Sequence, residues 1–113
     1  MNSFLPVGSV ISLKNNNRKY IVLGYFPITA EEKIYDYLCF NYPNGLKDKE
    51  IKYVEDDEID IVYFIGYQSN YNDKLLDFLK EQSSILKSAK DIRKATLEMV
   101  LKYNERYGKK VDL

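Results

Sequence analysis

The residue types that most often carry out chemistry are scarce in this chain. Its 113 residues include no histidine and a single cysteine, Cys39. One cysteine can form neither an intramolecular disulfide nor a cysteine-based metal site, and a catalytic thiolate would lack its usual histidine base. Cys39 lies within the apolar run 37–40, so we expect it to be a small buried core residue.

Carboxylates form the other candidate for chemistry, in the run Glu55-Asp56-Asp57-Glu58 followed by Asp60. Calcium takes about six to eight oxygens from a loop shaped around it, commonly with a glycine at the sharp turn. This run has no glycine and lacks the alternate-position pattern. Adjacent carboxylates in a turn also define no fixed separation for a hydrolase pair. We interpret the run as a solvated turn, and we expect no catalytic residue, metal or cofactor.

Five segments have the composition of short β-strands, with β-branched and aromatic residues bounded by turn signals. These segments are residues 9–14, 19–26, 35–42, 50–55 and 59–67. Three asparagines at 15–17, Pro27 and Asn44-Gly45 separate them, and Asn-Gly is the strongest short-range hairpin signal. The last segment has the fullest apolar run, so we expect it to be the most central strand.

A helical pattern follows the strands. Asn72 is a good N-cap, neither proline nor glycine interrupts the chain up to Tyr107, and Gly108 is a plausible C-cap. Apolar or small residues recur every three or four positions through this region. Two helices are favoured over one, because Ser88-x-x-Asp91 resembles a capping box.

The apolar stripe of this region is wide enough to be buried against another surface. It can complete the core of the sheet, or its first helix can cover the sheet while the second docks on a partner helix. Methionine and tyrosine are favoured at adaptable interfaces. The candidate partner-binding residues are Leu86, Ile92, Met99, Val100, Tyr103 and Tyr107. A homo-oligomer formed through this helical tail is a further expectation.

The elements together predict an α+β chain. Residues 1–70 are expected to form a small curved antiparallel five-stranded sheet or SH3-like barrel, and residues 71–113 one or two C-terminal helices. The charged residues differ between the same two parts: residues 1–70 have seven basic and ten acidic side chains, and residues 71–113 have ten basic and seven acidic ones. This difference is too small to indicate nucleic acid as a partner. The 11 tyrosines keep an SH3-like nucleic-acid-binding module as an alternative function.

The chain carries no pattern for a membrane or for export. No basic region precedes an apolar run near residue 1, and no stretch approaches the roughly 18 apolar residues of a membrane span. We therefore expect a cytoplasmic protein without membrane insertion.

Several short motifs, in a fixed order, resemble a known family. They are Leu5-Pro6-Val7-Gly8-Ser9-Val10 with Lys14, the strand ending in Gly24, Tyr35-Asp36-Tyr37, Tyr42-Pro43-x-Gly45, and the acidic turn leading into Asp60-x-Val62-Tyr63-Phe64-Ile65-Gly66. Residues 5–67 thereby resemble short proteins of unknown function that are encoded beside type VII secretion genes in Gram-positive bacteria. That family includes the EsaE-like secretion chaperones.

The resemblance implies a non-enzymatic cytoplasmic accessory protein. Such a protein binds a secreted toxin, or the toxin's helical export region, before secretion, and some members resemble adaptors that bring cargo to the secretion ATPase. The family supplies no catalytic residues. An immunity protein is a further alternative, which would bind the toxin's C-terminal effector region instead of its N-terminal export region.

Overall fold

A computed structural model describes residues 3–43 and 50–107. Five strands come first and two helices follow. The strands are β1 (Val10–Leu13), β2 (Asn16–Tyr25), β3 (Tyr37–Asn41), β4 (Ile51–Val54) and β5 (Ile59–Phe64), and the helices are α1 (Asn70–Ser88) and α2 (Ile92–Arg106). The predicted turn at Asn44-Gly45 and the predicted C-cap Gly108 lie outside the described residues.

All five strands belong to one antiparallel sheet, in the order β4-β3-β2-β1-β5. The first four strands form a meander, and β5 returns to lie beside β1. A short 3-10 helix, Asp56–Glu58, connects β4 to β5. The predicted α+β class is confirmed: the five-stranded sheet is open, and two helices follow it.

The position of β5 differs from the prediction. Among the described residues it is an edge strand rather than the most central one, because only β1 pairs with it there. Ile59 and Val62 pack against the core, whereas Ile61, Tyr63 and Phe64 are 46%, 50% and 61% exposed. An apolar run is typical of a strand buried on both faces, but here it belongs to a strand with solvent on two sides.

Helix α1 closes one face of the sheet. Its Leu76, Leu79 and Leu86 are buried in the same cluster as residues of the first four strands. The strand residues of that cluster are Ile11, Leu13, Tyr20, Val22, Tyr37, Cys39 and Val54. Alternate residues of a strand point to opposite faces, so this set defines the core face and leaves the other face uncovered by α1.

Side-chain caps fix where the helices begin. The Ser69 hydroxyl accepts a hydrogen bond from the Asn72 amide at 3.1 Å, so Ser69 caps α1 in place of the predicted Asn72. The Asp91 carboxylate caps α2 by accepting from the Lys94 amide at 3.1 Å. The predicted break into two helices is confirmed, but Ser88 is the last residue of α1 and takes no part in the cap.

The Pro-Val-Gly-Ser motif ties the start of the sheet to the end of β5. Gly8 has a φ of 94°, which favours glycine. The Ser9 hydroxyl donates to the Pro6 carbonyl at 2.7 Å and accepts from the Gly66 amide at 3.0 Å. A Cβ atom at Gly66 would overlap the Val7 carbonyl. These motif residues therefore join the segment before β1 to the segment after β5, and they have structural roles.

Candidate functional site

The carboxylates gather at the junction between the sheet and α1. Asp36 is only 3% exposed, and it accepts from the Ser83 hydroxyl at 2.6 Å, the Lys87 ammonium at 2.9 Å and the Asp56 amide at 2.8 Å. Tyr37 donates its hydroxyl proton to Asp56 at 2.8 Å. Each buried polar group thus has partners, as stability requires.

Two lysines of α1 complete this junction. Lys80 pairs with Asp56 at 2.7 Å, and Lys87 bridges Asp36 at 2.9 Å and Glu55 at 2.8 Å. Burial lowers the pKa of Lys87, but the hydrogen bonds and charges of Glu55 and Asp36 outweigh burial and raise that pKa above its usual value. We name Asp36, Glu55, Asp56, Lys80 and Lys87 the helix-locking cluster, because they join α1 to the sheet.

The acidic run is therefore only partly the solvated turn that was predicted. It does connect two strands, but Glu55 and Asp56 are drawn toward the lysines of α1. Within residues 3–43 and 50–107, no three His, Cys, Asp or Glu side chains are placed to hold a metal ion. Opposite charges are paired at this junction, and the pairs join α1 to the sheet.

Cys39 lies in the core, as predicted. Burial raises the pKa of its thiol to about 12. At neutral pH the thiol stays protonated, and the thiolate is the nucleophilic form. Cys39 thus has a packing role.

The candidate partner-binding residues are mostly turned inward. Leu86 is buried in the core, and Ile92 and Met99 pack against its edge. Tyr103 and Tyr107 pack edge-on against Phe78 of α1, with ring centroids 5.4 and 6.5 Å apart. This packing buries Leu86 fully and leaves four of the others half-buried: Ile92, Met99, Tyr103 and Tyr107.

Val100 is the one predicted residue that is clearly exposed. It lies with Leu97 and Leu101 on the outward side of α2. The spacing of three and four residues puts the three side chains on one helical face. The predicted partner-binding residues include Val100 but neither Leu97 nor Leu101.

A second set of apolar residues lies on the face of the sheet that α1 does not cover, and sequence reasoning did not find it. Its ends, Ile51 and Phe64, are 52% and 61% exposed, whereas Val10 in its middle is buried at 9%. Register pairs Phe64 with Val10, Val10 with Ile21, Ile21 with Phe40, and Phe40 with Ile51. Paired residues of antiparallel strands point to the same face. One apolar side chain from each strand therefore forms a continuous line across the whole sheet, which we name the cross-sheet row.

A shallow open depression adjoins this row near β5. It has a volume of about 490 Å³ and is lined by residues including Val10, Ile21, Tyr63 and Phe64. Lys19 lies at its side, with the ammonium 4.8 Å from the centre of the Tyr63 ring. The surface is thus apolar with one cation beside it.

The tyrosines do not form a single stacking surface. Tyr20 and Tyr37 are buried in the core. Tyr25 stacks on Phe4 with ring centroids 6.0 Å apart, and Tyr35 stacks on Tyr53 with centroids 5.5 Å apart. A platform for single-stranded nucleic acid needs successive open rings in a basic groove, and most of these rings are occupied by neighbouring side chains.

Fold and surface define a small α+β domain whose sheet is closed by a helix on one face and carries an apolar line on the other. Its first part, residues 4–75, matches the family model of a domain of unknown function, DUF4176. The chain belongs to this family. The match spans all five strands and the start of α1, so it includes the entire cross-sheet row and excludes α2.

The other comparisons add nothing to the family assignment. No curated protein and no solved structure matches the chain significantly. In the part of the chain that the structure describes, neither helix is both long enough and apolar enough to cross a membrane.

Proposed function

We propose that this chain is a non-enzymatic accessory protein that binds an amphipathic helix of a secreted toxin through the cross-sheet row. The toxin would be a type VII secretion substrate, held in the cytoplasm before export. The observation that carries the proposal is the row itself, because Ile51 and Phe64 at its ends are 52% and 61% exposed and exposed apolar patches often mark binding surfaces. The motif resemblance supplies the class of partner.

The dimensions of the row suit a helix. Five strands spaced about 4.8 Å apart give a line of about 19 Å. A helix rises about 1.5 Å per residue, so about 13 residues, or three to four turns, span that line. An amphipathic helix presents about three to four apolar residues per two turns on its face. The row therefore matches one helix of the kind expected in an export region.

Lys19 adds a charge requirement. Its ammonium lies beside the row, over the ring of Tyr63. A carboxylate one position outside the apolar stripe of the bound helix would meet it. Because charged pairs at the rim mainly set orientation and association rate, Lys19 would fix the direction in which the helix lies.

Binding by this surface would act through mass action. A protein that binds one form of its cargo stabilises that form in proportion to its concentration over the dissociation constant. Covering the cargo's apolar helix would maintain an export-competent state and reduce aggregation. The outward face of α2, with Leu97, Val100 and Leu101, would stay free for a second contact, such as the secretion ATPase.

Co-expression with the toxin encoded beside it tests the proposal. The tagged chain should co-purify with the toxin's N-terminal export region, and Ile51→Glu at one end of the row should weaken capture at least tenfold. Leu97→Glu is the matched control, since it puts the same charge at an exposed leucine of α2 and should leave capture unchanged.

Three results would contradict the proposal. Capture of the C-terminal effector region, with protection of the cell, would indicate an immunity protein. Binding of short RNA or DNA in fluorescence polarisation at low salt would favour the nucleic-acid alternative. Equal loss of capture for both charge variants, with both still folded, would show that the sheet face is not the site.

A further inference from the structure

Helix α2 is held less firmly than helix α1. None of the residues of α2, from Ile92 to Arg106, is buried. Helix α1, in contrast, has five buried residues: Leu76, Phe78, Leu79, Gln82 and Leu86. Segments with few buried apolar contacts open locally at a lower free-energy cost than the core does. Burial therefore ranks α2 below α1 in local stability.

The ion pairs between α2 and its neighbours lie at the surface. Arg93 lies 3.9 Å from Glu32, and Arg106 lies 3.3 Å from Glu81. The four side chains are between 45% and 72% exposed, and exposed pairs of this kind contribute little to stability. The helix-locking cluster, which includes the nearly buried carboxylate of Asp36, joins the sheet to α1 and not to α2.

Phe78 of α1 is covered by α2. It is 2% exposed, yet it is not part of the cluster of buried residues that forms the core of the sheet. Tyr103 and Tyr107 pack against its ring, with centroids 5.4 and 6.5 Å away, and the Arg106 guanidinium lies 5.2 Å from its centre. The side of α1 that carries Phe78 therefore becomes an apolar surface if α2 moves away.

A short connection joins the two helices. Helix α1 ends at Ser88 and α2 begins at Ile92. Ala89 and Asp91 both have extended backbone, with φ and ψ of −72° and 140° and of −117° and 96°. Hinges are commonly a few residues at the ends of elements, so rotation here changes the angle between the helices without disturbing either one. The family match ends at residue 75, so α2 and this connection lie outside it.

We infer that α2 is a lid that opens from α1 as a unit while α1 and the sheet stay folded. Opening breaks the 3.4 Å hydrogen bond from Lys102 to Gln82 and uncovers Phe78. It also makes fully accessible the predicted partner-binding residues that pack inward: Ile92, Met99, Tyr103 and Tyr107. The lid controls access to a second apolar surface, which is separate from the cross-sheet row and does not depend on the proposed function.

Hydrogen exchange of the full chain, followed amide by amide by NMR, tests the lid. Amides of residues 97–105 should have protection factors about 100-fold lower than amides of residues 76–86, because they exchange through the local opening. In low concentrations of urea, protection of α2 should fall less than about half as steeply as protection of α1, since the slope follows the surface exposed on opening.

Tyr103→Ala removes one of the rings that cover Phe78. It should lower the protection of α2 by about tenfold more and leave the protection of α1 within about twofold of the parent. Alanine is a better helix former than tyrosine, so lost helix propensity cannot explain the change. Leu97→Ala is the matched control, because Leu97 is 59% exposed, and it should alter neither helix.

Three results would overturn the inference. Equal protection of α1 and α2, with equal urea slopes, would show that α2 opens only when the whole chain unfolds. Protection of α2 near that of an unstructured peptide would show that no closed lid exists. A parallel loss of protection in both helices of Tyr103→Ala would show that they form one cooperative unit. Toxin capture is measured separately through Ile51→Glu, so failure of the lid leaves the proposed function standing.

Discussion

Replacing Asp36 by asparagine tests the role of the helix-locking cluster. The carboxylate accepts three hydrogen bonds, from Ser83, Lys87 and the Asp56 amide, at 2.6, 2.9 and 2.8 Å. Asparagine has nearly the same shape but offers one acceptor oxygen and one donor nitrogen. At least one donor would then face another donor at a site that is 3% exposed.

The expected cost follows from these contacts. Removing one partner of a buried ion pair typically costs about 3–5 kcal/mol, because a charge is left without compensation. Lys87 keeps Glu55 at 2.8 Å and its side chain is 31% exposed, so the lower end applies, at about 3 kcal/mol. At about 4 °C per kcal/mol for a domain of this size, Tm should fall by about 12 °C.

Thermal and urea unfolding followed by circular dichroism would measure this loss. Asp57→Asn is the matched control, since Asp57 is in the same 3-10 helix but exposed, and it should change stability by less than about 0.5 kcal/mol. If Asp36→Asn unfolded within about 0.5 kcal/mol of the parent, the cluster would not hold α1 on the sheet.

Three further predictions concern stability. Gly66→Ala should cost about 2–3 kcal/mol in urea unfolding, because the new Cβ would lie 2.9 Å from the Val7 carbonyl carbon, whereas Gly24→Ala, which meets nothing within 4 Å, should cost far less. The raised pKa of Lys87 means that its stabilisation is complete below the unfolded pKa of about 10.4 and is lost as pH rises through the higher folded pKa. Lys87→Met should therefore flatten the decline in Tm above about pH 10, and an unchanged decline would contradict this. Glu32 has a φ of 61°, a backbone conformation that asparagine tolerates better than glutamate, so Glu32→Asn should raise stability by about 0.5–1 kcal/mol. The neighbouring Glu31→Asn is the control and should not raise it. Loss of the exposed Arg93–Glu32 pair at 3.9 Å should cost little.

The sequence was sufficient to predict every strand and both helices, because these depend on local patterns. Cys39 was interpreted correctly for the same reason. The turn predicted at residues 15–17 is only partly right, because β2 already begins at Asn16. The position of β5 in the sheet, in contrast, does not follow from local sequence patterns. Its apolar run identifies a strand, but strand order depends on which edge the returning chain meets.

The predicted partner-binding residues lie mostly inward for a related reason. A helical stripe predicts which side of α2 is apolar, but it does not show what that side contacts. Tyr103 and Tyr107 on that side pack against Phe78 of α1. The cross-sheet row could not be read from the sequence, since its five members lie in five strands and only register aligns them. Strand register depends on bulges and turns that single-sequence patterns do not define.

The two faces of the sheet differ in what covers them, and this difference supports the proposed binding surface. On the core face, α1 is fixed by apolar packing and by a cluster in which Asp36, Asp56 and Lys87 share hydrogen bonds. Such a contact costs several kcal/mol to open, so α1 is not free to exchange places with a partner helix. The outer face carries an apolar line without an attached helix among the described residues. In the proposed complex, the partner helix would pack on a sheet whose core face is already fixed by α1, so little ordering free energy would oppose binding.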